Sequence, residues 1–190
     1  MTTTAEHQAL ANYVAQVIGG PPQVATFWDK PRNSSIGIFS AVERPGPGLV
    51  SYATIGLSDY ATGLTSDGAD LRAELTLTLG LKDREAAAML STCAMDVIND
   101  GFAIRLGSVF AKAVELYRPE LAMKHMFLVE PFIWKLQDQS FATHKVAWLT
   151  AIPISEAERV YVAENGPDAL DVLLESRGAE VFNLERPSVL

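Results

Sequence analysis

The amino-acid sequence predicts an α+β fold: a single domain with one mixed, mainly antiparallel sheet packed by helices. Two observations support this prediction. The predicted elements run in the order helix, strands, helix, strands and then two helices, which is typical of segregated α+β architectures. No linker long enough to separate two domains interrupts the 190 residues, so residues 1–190 are assigned to one domain.

The N-terminal part predicts a helix over residues 3–19. Thr3 followed by Glu6 matches a capping box, in which each side chain pairs with a free backbone amide of the first turn. Apolar residues then recur at helical spacing. The glycines and prolines of residues 19–22 end the helix, because proline cannot continue it.

Three short segments rich in β-forming residues follow this helix. They lie at residues 23–28, 36–43 and 49–55, and the Pro/Gly turn between the second and third predicts a hairpin. Residues 60–70 contain several small turn-forming residues and predict a loop. Residues 71–79 alternate apolar and polar side chains, which predicts a strand with one buried face.

The longest helix is predicted over residues 83–99. Asp83 is the expected N-cap, and apolar residues recur after it at helical spacing. Residues 102–117 are ambiguous, since their second half, residues 109–117, is compatible with helix or strand, and we expect extended structure there.

The C-terminal third predicts strands at residues 124–130 and 145–154, followed by two helices. Ser155 and Glu158 form a second capping box, and Pro167 opens the last helix at its first position, where no amide hydrogen is needed.

Composition and charge exclude several classes of function. The formal net charge is −8 and the pI is about 4.8, so we expect no nucleic-acid binding, because phosphate backbones repel an acidic surface. The first residues lack the basic and apolar regions of a signal peptide. No segment approaches the ~20 apolar residues needed to cross a bilayer. We therefore expect a cytoplasmic protein without membrane contact.

The charge is concentrated at the C-terminal end. Residues 155–190 contain eight acids and three bases, which gives −5 of the total −8. Two interpretations remain open: an acidic face that steers a basic partner, or an ordinary solvated helical surface.

No common catalytic signature occurs in the chain: there is no nucleophile elbow, phosphate-binding loop, zinc-protease helix or Cys-x-x-Cys pair. The single cysteine, Cys93, lies at the edge of an apolar helical stripe and is predicted to be a core residue. The three histidines lack the spacing of strong metal sites; they are His7, His125 and His144. We therefore expect no catalytic residue, no metal and no cofactor.

Several side chains are candidates for contact with another protein. Asp59 and Tyr60 follow a strand end, a common place for functional loop residues, although Asp59 alternatively serves as a local backbone cap. Trp148 is predicted to be core, whereas Trp134 follows Pro131 in an irregular stretch and is the better contact candidate. The candidate contact residues are Asp59, Tyr60, Trp134, Glu158 and Asp168.

Several segments, taken in order, resemble the suppressor of fused family. They are Tyr52-Ala53-Thr54-Ile55-Gly56-Leu57-Ser58-Asp59, Arg72-Ala73-Glu74-Leu75-Thr76-Leu77, Lys124-His125-Met126-Phe127-Leu128-Val129-Glu130-Pro131-Phe132, Trp148-Leu149-Thr150-Ala151-Ile152-Pro153-Ile154-Ser155-Glu156-Ala157-Glu158, Glu164-Asn165-Gly166-Pro167-Asp168-Ala169-Leu170 and Glu185-Arg186-Pro187-Ser188-Val189. The likeness covers about residues 25–190 and is most specific in the last third.

The resemblance implies a non-enzymatic, protein-binding role. The animal member of the family is a two-domain regulator that restrains a transcription factor, and the chain resembles only its N-terminal domain. Shorter bacterial members are regarded as immunity proteins that neutralise toxins. The leading hypothesis is therefore an immunity-type protein whose partner is a basic toxin. The alternatives are a transcription-factor regulator, or an enzyme whose site is assembled from distant residues such as Asp59 with Glu74 or His125.

Overall fold

The four helices and nine strands of the fold are described by a computed structural model that covers residues 3–190. The helices are α1 (Ala5–Ile18), α2 (Ala86–Asp100), α3 (Glu156–Asn165) and α4 (Pro167–Ser176). The strands are β1 (Val24–Trp28), β2 (Ser35–Val42), β3 (Leu49–Ile55), β4 (Leu64–Ser66), β5 (Ala69–Gly80), β6 (Val109–Phe110), β7 (Met123–Val129), β8 (Gln139–Ser140) and β9 (His144–Ser155). This element order confirms the predicted α+β class.

All strands join one mixed sheet. Its main order is β1-β2-β3-β5-β9-β7-β6, with β4 paired to β5 and β8 paired to β9. The two longest strands, β5 and β9, run parallel, and every other pair is antiparallel. The predicted hairpin between β2 and β3 is confirmed, with Val42 opposite Val50 at its closed end.

Helices cover both faces of the sheet. Helix α2 packs on one face against apolar residues of β2, β3 and β5, with Cys93 buried among them as predicted. On the opposite face, α1 packs over β2, β3 and β9, while α4 packs over β7 and β9. Trp148 lies in the α1 cluster, which confirms its predicted core position.

Strand β5 differs from the prediction of one buried face. From Ala73 to Leu79 both faces are buried, so the polar side of the alternation also lies inside. Hydroxyl pairs between neighbouring strands make this possible: Thr78 bonds Ser51 at 2.8 Å, and Thr76 bonds Thr150 at 2.8 Å. Alternation in a central strand therefore reflects two packed faces of different polarity, since buried polar groups are tolerated when they are hydrogen-bonded.

Two predicted helix starts were wrong by a few residues. In α1 the capping box is formed by Thr4 and His7, not by Thr3 and Glu6; the His7 ring takes the usual place of a Glu or Gln. In α2 the predicted N-cap Asp83 lies in a turn that begins at Gly80, and the helix starts only after Glu85. The capping box at Ser155 and Glu158 and the proline at the start of α4 are confirmed.

Two connecting segments also differ from the predictions. Residues 60–70 contain strand β4, which forms a hairpin with the start of β5, so they are not a simple loop. Residues 102–117 hold only the two-residue strand β6, followed by consecutive turns, so extended structure there was largely wrong. Within residues 3–190, no helix is both long and apolar enough to cross a membrane.

Candidate protein-binding site

The turn that follows β3 is organised by one buried carboxylate. Glu74 on β5 is fully buried and accepts five hydrogen bonds from this region. Its donors are the Thr54 hydroxyl at 2.5 Å, the amides of Gly56, Leu57 and Ser58 at 2.8–3.2 Å, and the Ser58 hydroxyl at 2.8 Å. Gly56 has φ +98°, a left-handed conformation that suits glycine and allows the amides to converge.

This arrangement makes Glu74 an anchor for the backbone. Burial raises the pKa of Glu74, while the hydrogen bonds from Thr54, Ser58 and Gly56 act in the opposite direction. The oxygens are occupied by protein donors and sealed from solvent, so the carboxylate fixes the shape of the turn and does not face a substrate. The prediction of a one-sided strand had placed Glu74 on the solvent side.

Asp59 and Tyr60 project from the end of this turn. Asp59 accepts from Nε2 of His7 at 3.0 Å, and its side chain remains about half exposed (46%). Nδ1 of His7 accepts the Thr4 amide at 3.3 Å, so the ring hydrogen lies on Nε2 and points to Asp59. Arg72 binds the Asp59 carbonyl at 2.8 Å. Asp59 and the exposed Tyr60 therefore stand on a rigid support.

The residues suggested for an unrecognised enzyme site are only partly brought together. Glu74 on β5 accepts hydrogen bonds from the turn that ends at Asp59, but its carboxylate is buried beneath this turn. Nδ1 of His125 accepts the Lys112 amide at 2.8 Å, and Nε2 bonds Glu156 at 2.7 Å, so both ring nitrogens are engaged away from Asp59. Burial lowers the pKa of His125, and hydrogen bonds to Arg159 and His125 lower the pKa of Glu156 to about 2.

The exposure of Trp134 differs from what the sequence suggested. Trp134 is only partly exposed: it packs against the α1 cluster, and its Nε1 is buried without a hydrogen-bond partner in residues 3–190. Trp28 on the edge strand β1 is 48% exposed, and sequence reasoning passed over it. The signal that identifies it is topological, because the strand order places β1 at the edge of the sheet.

Glu158 lies inside the protein, so it stabilises the fold and does not present a side chain to a partner. It forms a two-pronged ion pair with Arg186, with distances of 2.7 and 2.8 Å, and the two side chains are 0% and 2% exposed. The amides of Ser155 and Val189 also donate to it. Burial raises the pKa of Glu158, but the bonds from Arg186, Ser155 and Val189 outweigh burial and hold it below its usual range.

Asp168 lies at the start of α4 and lines a surface groove. We call this the C-terminal groove; it has two lobes, which flank residues 179–183 and share Phe132 as a common wall. The first lobe, beside α4, has a volume of about 570 Å³, and the second, beside the turn after β5, about 590 Å³. Of the five candidate contact residues, Asp168 is the one that borders this groove.

The described residues contain no arrangement suited to a metal ion or a reactive thiol. No cluster of three or more His, Cys, Asp or Glu side chains able to hold a metal is found in residues 3–190. Burial raises the pKa of the Cys93 thiol well above its usual value, so the thiolate that nucleophilic chemistry requires is disfavoured.

The structure defines an α+β sheet protein with a turn anchored by the buried Glu74 and a surface groove with an acidic rim. The suppressor of fused protein family model matches residues 32–187, so this chain belongs to the suppressor of fused family. The predicted family is thereby confirmed.

Known proteins extend this comparison. The chain is 38% identical over 192 residues to immunity protein YqcF of Bacillus subtilis (strain 168), and the match covers 100% of both proteins. A crystal structure of a Sufu–Fu complex matches with a TM-score of 0.69 at 15% identity, over 97% of this chain and 92% of that chain.

Two further structures share the fold. A suppressor of fused homolog from Neisseria gonorrhoeae FA 1090 has a TM-score of 0.68 at 13% identity and is covered over 97% of both chains. Drosophila Suppressor of Fused has a TM-score of 0.67 at 15% identity, and 97% of this chain spans 51% of it.

Proposed function

We propose that this protein is an immunity protein that binds a polypeptide toxin and blocks its action without catalysing a reaction. One observation carries the proposal: the relative named as an immunity protein is 38% identical over the full length of both proteins. The match extends over the whole of both chains, and the proposal extends the relative's role to this chain.

The charge of the protein supports a basic toxin as the partner. The net charge is −8, and residues 155–190 hold most of that excess. A toxin that attacks nucleic acid needs a basic surface to approach phosphates, and such a surface is complementary to this protein. Toxins of that kind act in the cytoplasm, where we therefore propose that this protein resides.

Binding without catalysis is supported by the state of the ionisable groups. Glu74 and Glu158 are fully buried, and each is saturated by protein donors. His125 has both ring nitrogens engaged. These groups stabilise a preformed surface, which lowers the entropic cost of binding.

Co-expression tests this proposal. Each candidate polypeptide toxin encoded in the genome that carries this gene is induced in a heterologous host, with or without the protein, and growth is followed. We expect one toxin to arrest growth unless the protein is present, and the two purified proteins to form a stoichiometric complex. Protection without complex formation, or changed transcription on gene deletion without any toxin sensitivity, contradicts the proposal; the latter favours a transcription-factor regulator.

A further inference from the structure

We propose that the C-terminal groove is the docking site for a basic segment of the toxin that also carries apolar side chains. This inference deepens the proposed function, on which it rests, by naming the binding surface and the chemistry of the bound segment. The occupant to which we commit is a short part of the partner, because each lobe has room for a few side chains and not for a folded domain.

The walls of the groove contain exposed apolar surface. Phe132 and Leu106 are 55% and 51% exposed, which is high for side chains of this size. The Phe132 ring stacks on Phe182, with ring centroids 6.0 Å apart and planes 9° apart, and so joins the two lobes. Scattered apolar residues are normal on a surface, but a contiguous apolar area with a polar rim marks an interaction site.

The rim of the first lobe is acidic throughout. The ionisable side chains that line it are Glu130, Asp168, Asp171 and Glu175, with no Lys or Arg among the described lining residues. Three of them recur at spacings of three and four along α4, so they share one face of the helix. Like charges at this spacing destabilise a helix slightly, and a cationic partner relieves that repulsion.

The second lobe adds negative charge, and its only lysine is already paired. Asp83, Glu180 and Lys82 are its ionisable lining residues, and Nζ of Lys82 lies 2.7 Å from Glu185. Asp83 is 1% exposed, and within residues 3–190 neither of its carboxylate oxygens has a hydrogen-bond partner. The Arg118 guanidinium lies 3.8 Å from one oxygen of Asp83 and partly compensates its charge, so the attraction of the groove for a cation comes mainly from the first lobe.

The groove is supported by rigid elements. Its first lobe lies on β7, β9 and α4, and its central wall, residues 179–183, is followed directly by the segment that Arg186 pins to Glu158. Because the groove is already formed, little conformational entropy is lost when a partner binds to it. Apolar walls, an acidic rim and a fixed shape together match a basic amphipathic segment.

Charge reversal on α4 tests the inference. The variant Asp171→Lys/Glu175→Lys removes two rim charges that are exposed and have no recorded ion pair in residues 3–190. The matched control, Asp100→Lys/Asp138→Lys, changes two exposed acids that line neither lobe and have no ion pair within residues 3–190. Both variants change the net charge from −8 to −4, so general electrostatic attraction falls equally.

We expect the α4 variant to bind an inactivated form of the neutralised toxin at least about tenfold more weakly than the control does, as measured by calorimetry, and to lose protection in the growth assay. The difference should shrink at high salt. Equal affinities for the two variants, or loss of binding in Tyr60→Ala with full binding in the α4 variant, overturn the inference while the proposed function stands. Thermal melts verify that all variants are folded.

A second probe is independent of any toxin. A short synthetic peptide with Lys and Leu at helical spacing, and its twin with Glu in place of Lys, are titrated into the labelled protein and followed by NMR. We expect the Lys peptide to shift amides that line the C-terminal groove and the Glu peptide to shift none. Shifts centred elsewhere, such as on edge strand β1, or no shift at all, refute the C-terminal groove as the docking site, even if a neutralised toxin is found. Groove-centred shifts without any neutralised toxin refute the immunity role alone.

Discussion

The buried ion pair between Arg186 and Glu158 is predicted to make a large contribution to the stability of the fold. Arg186 donates to both oxygens of Glu158, at 2.7 and 2.8 Å, and to the carbonyl of Pro153 at 3.0 Å. In Arg186→Met, a side chain of similar length fills the space without these donors. Glu158 then remains buried as an uncompensated charge.

Removal of one partner from a buried pair destabilises proteins by about 3–5 kcal/mol. For a chain of this size, each kcal/mol lowers the melting temperature by ~2–4 °C, so we expect a fall of about 6–20 °C. Urea unfolding followed by tryptophan fluorescence at pH 7 measures the free energy directly. The matched control is Arg159→Met, which breaks the exposed pair with Glu156 (37% and 57% exposed) and is expected to leave the free energy of unfolding almost unchanged, because solvent screens such a pair.

The pH dependence of this difference follows from the pKa of Glu158. Its pKa in the native protein is below the usual value, so its stabilising contribution is present above the unfolded pKa and is lost as the pH falls through the folded pKa. In Arg186→Met, burial raises the pKa of Glu158, and the carboxyl takes up a proton at a higher pH. The stability gap between the two proteins should therefore narrow from pH 7 to pH 4. A loss within about 1 kcal/mol at pH 7, or a gap that widens with acid, refutes the reasoning.

Three further predictions concern the groove wall, the anchored turn and the cysteine. A Cβ on Gly107, whose φ is +82°, would lie 2.6 Å from Pro167. We therefore expect Gly107→Ala to lower the free energy of unfolding, measured in urea, by about 2 kcal/mol. In the control Gly46→Ala the added Cβ meets no neighbouring atom, and stability should be almost unchanged. Glu74→Gln keeps the shape of the side chain but turns an NH₂ group toward protein donors. We expect the free energy of unfolding to fall by about 2 kcal/mol and the amides of the turn to exchange hydrogen faster. Unchanged exchange would contradict the role of Glu74 as an anchor. Cys93 should react with a thiol reagent only on unfolding, and rapid labelling of the native protein contradicts its burial.

The sequence predicts the fold well because most of its signals are local. The capping box at Ser155 and Glu158, the proline that opens α4 and the hairpin between β2 and β3 each depend on residues close together in the chain, and each is confirmed. The family resemblance, carried by ordered segments, is confirmed over residues 32–187.

The predictions that the structure corrects are those in which the position of a side chain depends on residues distant in the sequence. Alternation along β5 indicates two different faces but does not reveal that both are covered, since that depends on hydroxyl pairs with neighbouring strands and on the donors that surround Glu74. The role of Glu158 depends on Arg186, which lies 28 residues further along the chain. A carboxylate that appears exposed on a helical pattern is thereby buried.

The C-terminal groove could not be predicted for the same reason, although one of its residues was. Asp168 was one of the predicted contact residues, but Phe132, Phe182 and Leu106 come together only in the folded chain. The local charge excess was visible in the sequence, whereas the apolar surface that gives it shape was not.

Glu158 connects these observations physically. The same carboxylate accepts the Ser155 amide at the start of α3 and the Val189 amide near the C-terminus, while it pairs with Arg186. The helix start and the C-terminal segment are therefore tied to one buried charge, whose strong hydrogen bonds resist displacement of either. Residues 179–183, between α4 and this pinned segment, are held at both ends. The buried ion pair therefore helps to fix residues 179–183, the central wall of the C-terminal groove, while the acidic side chains Asp171 and Glu175 at its rim stay exposed.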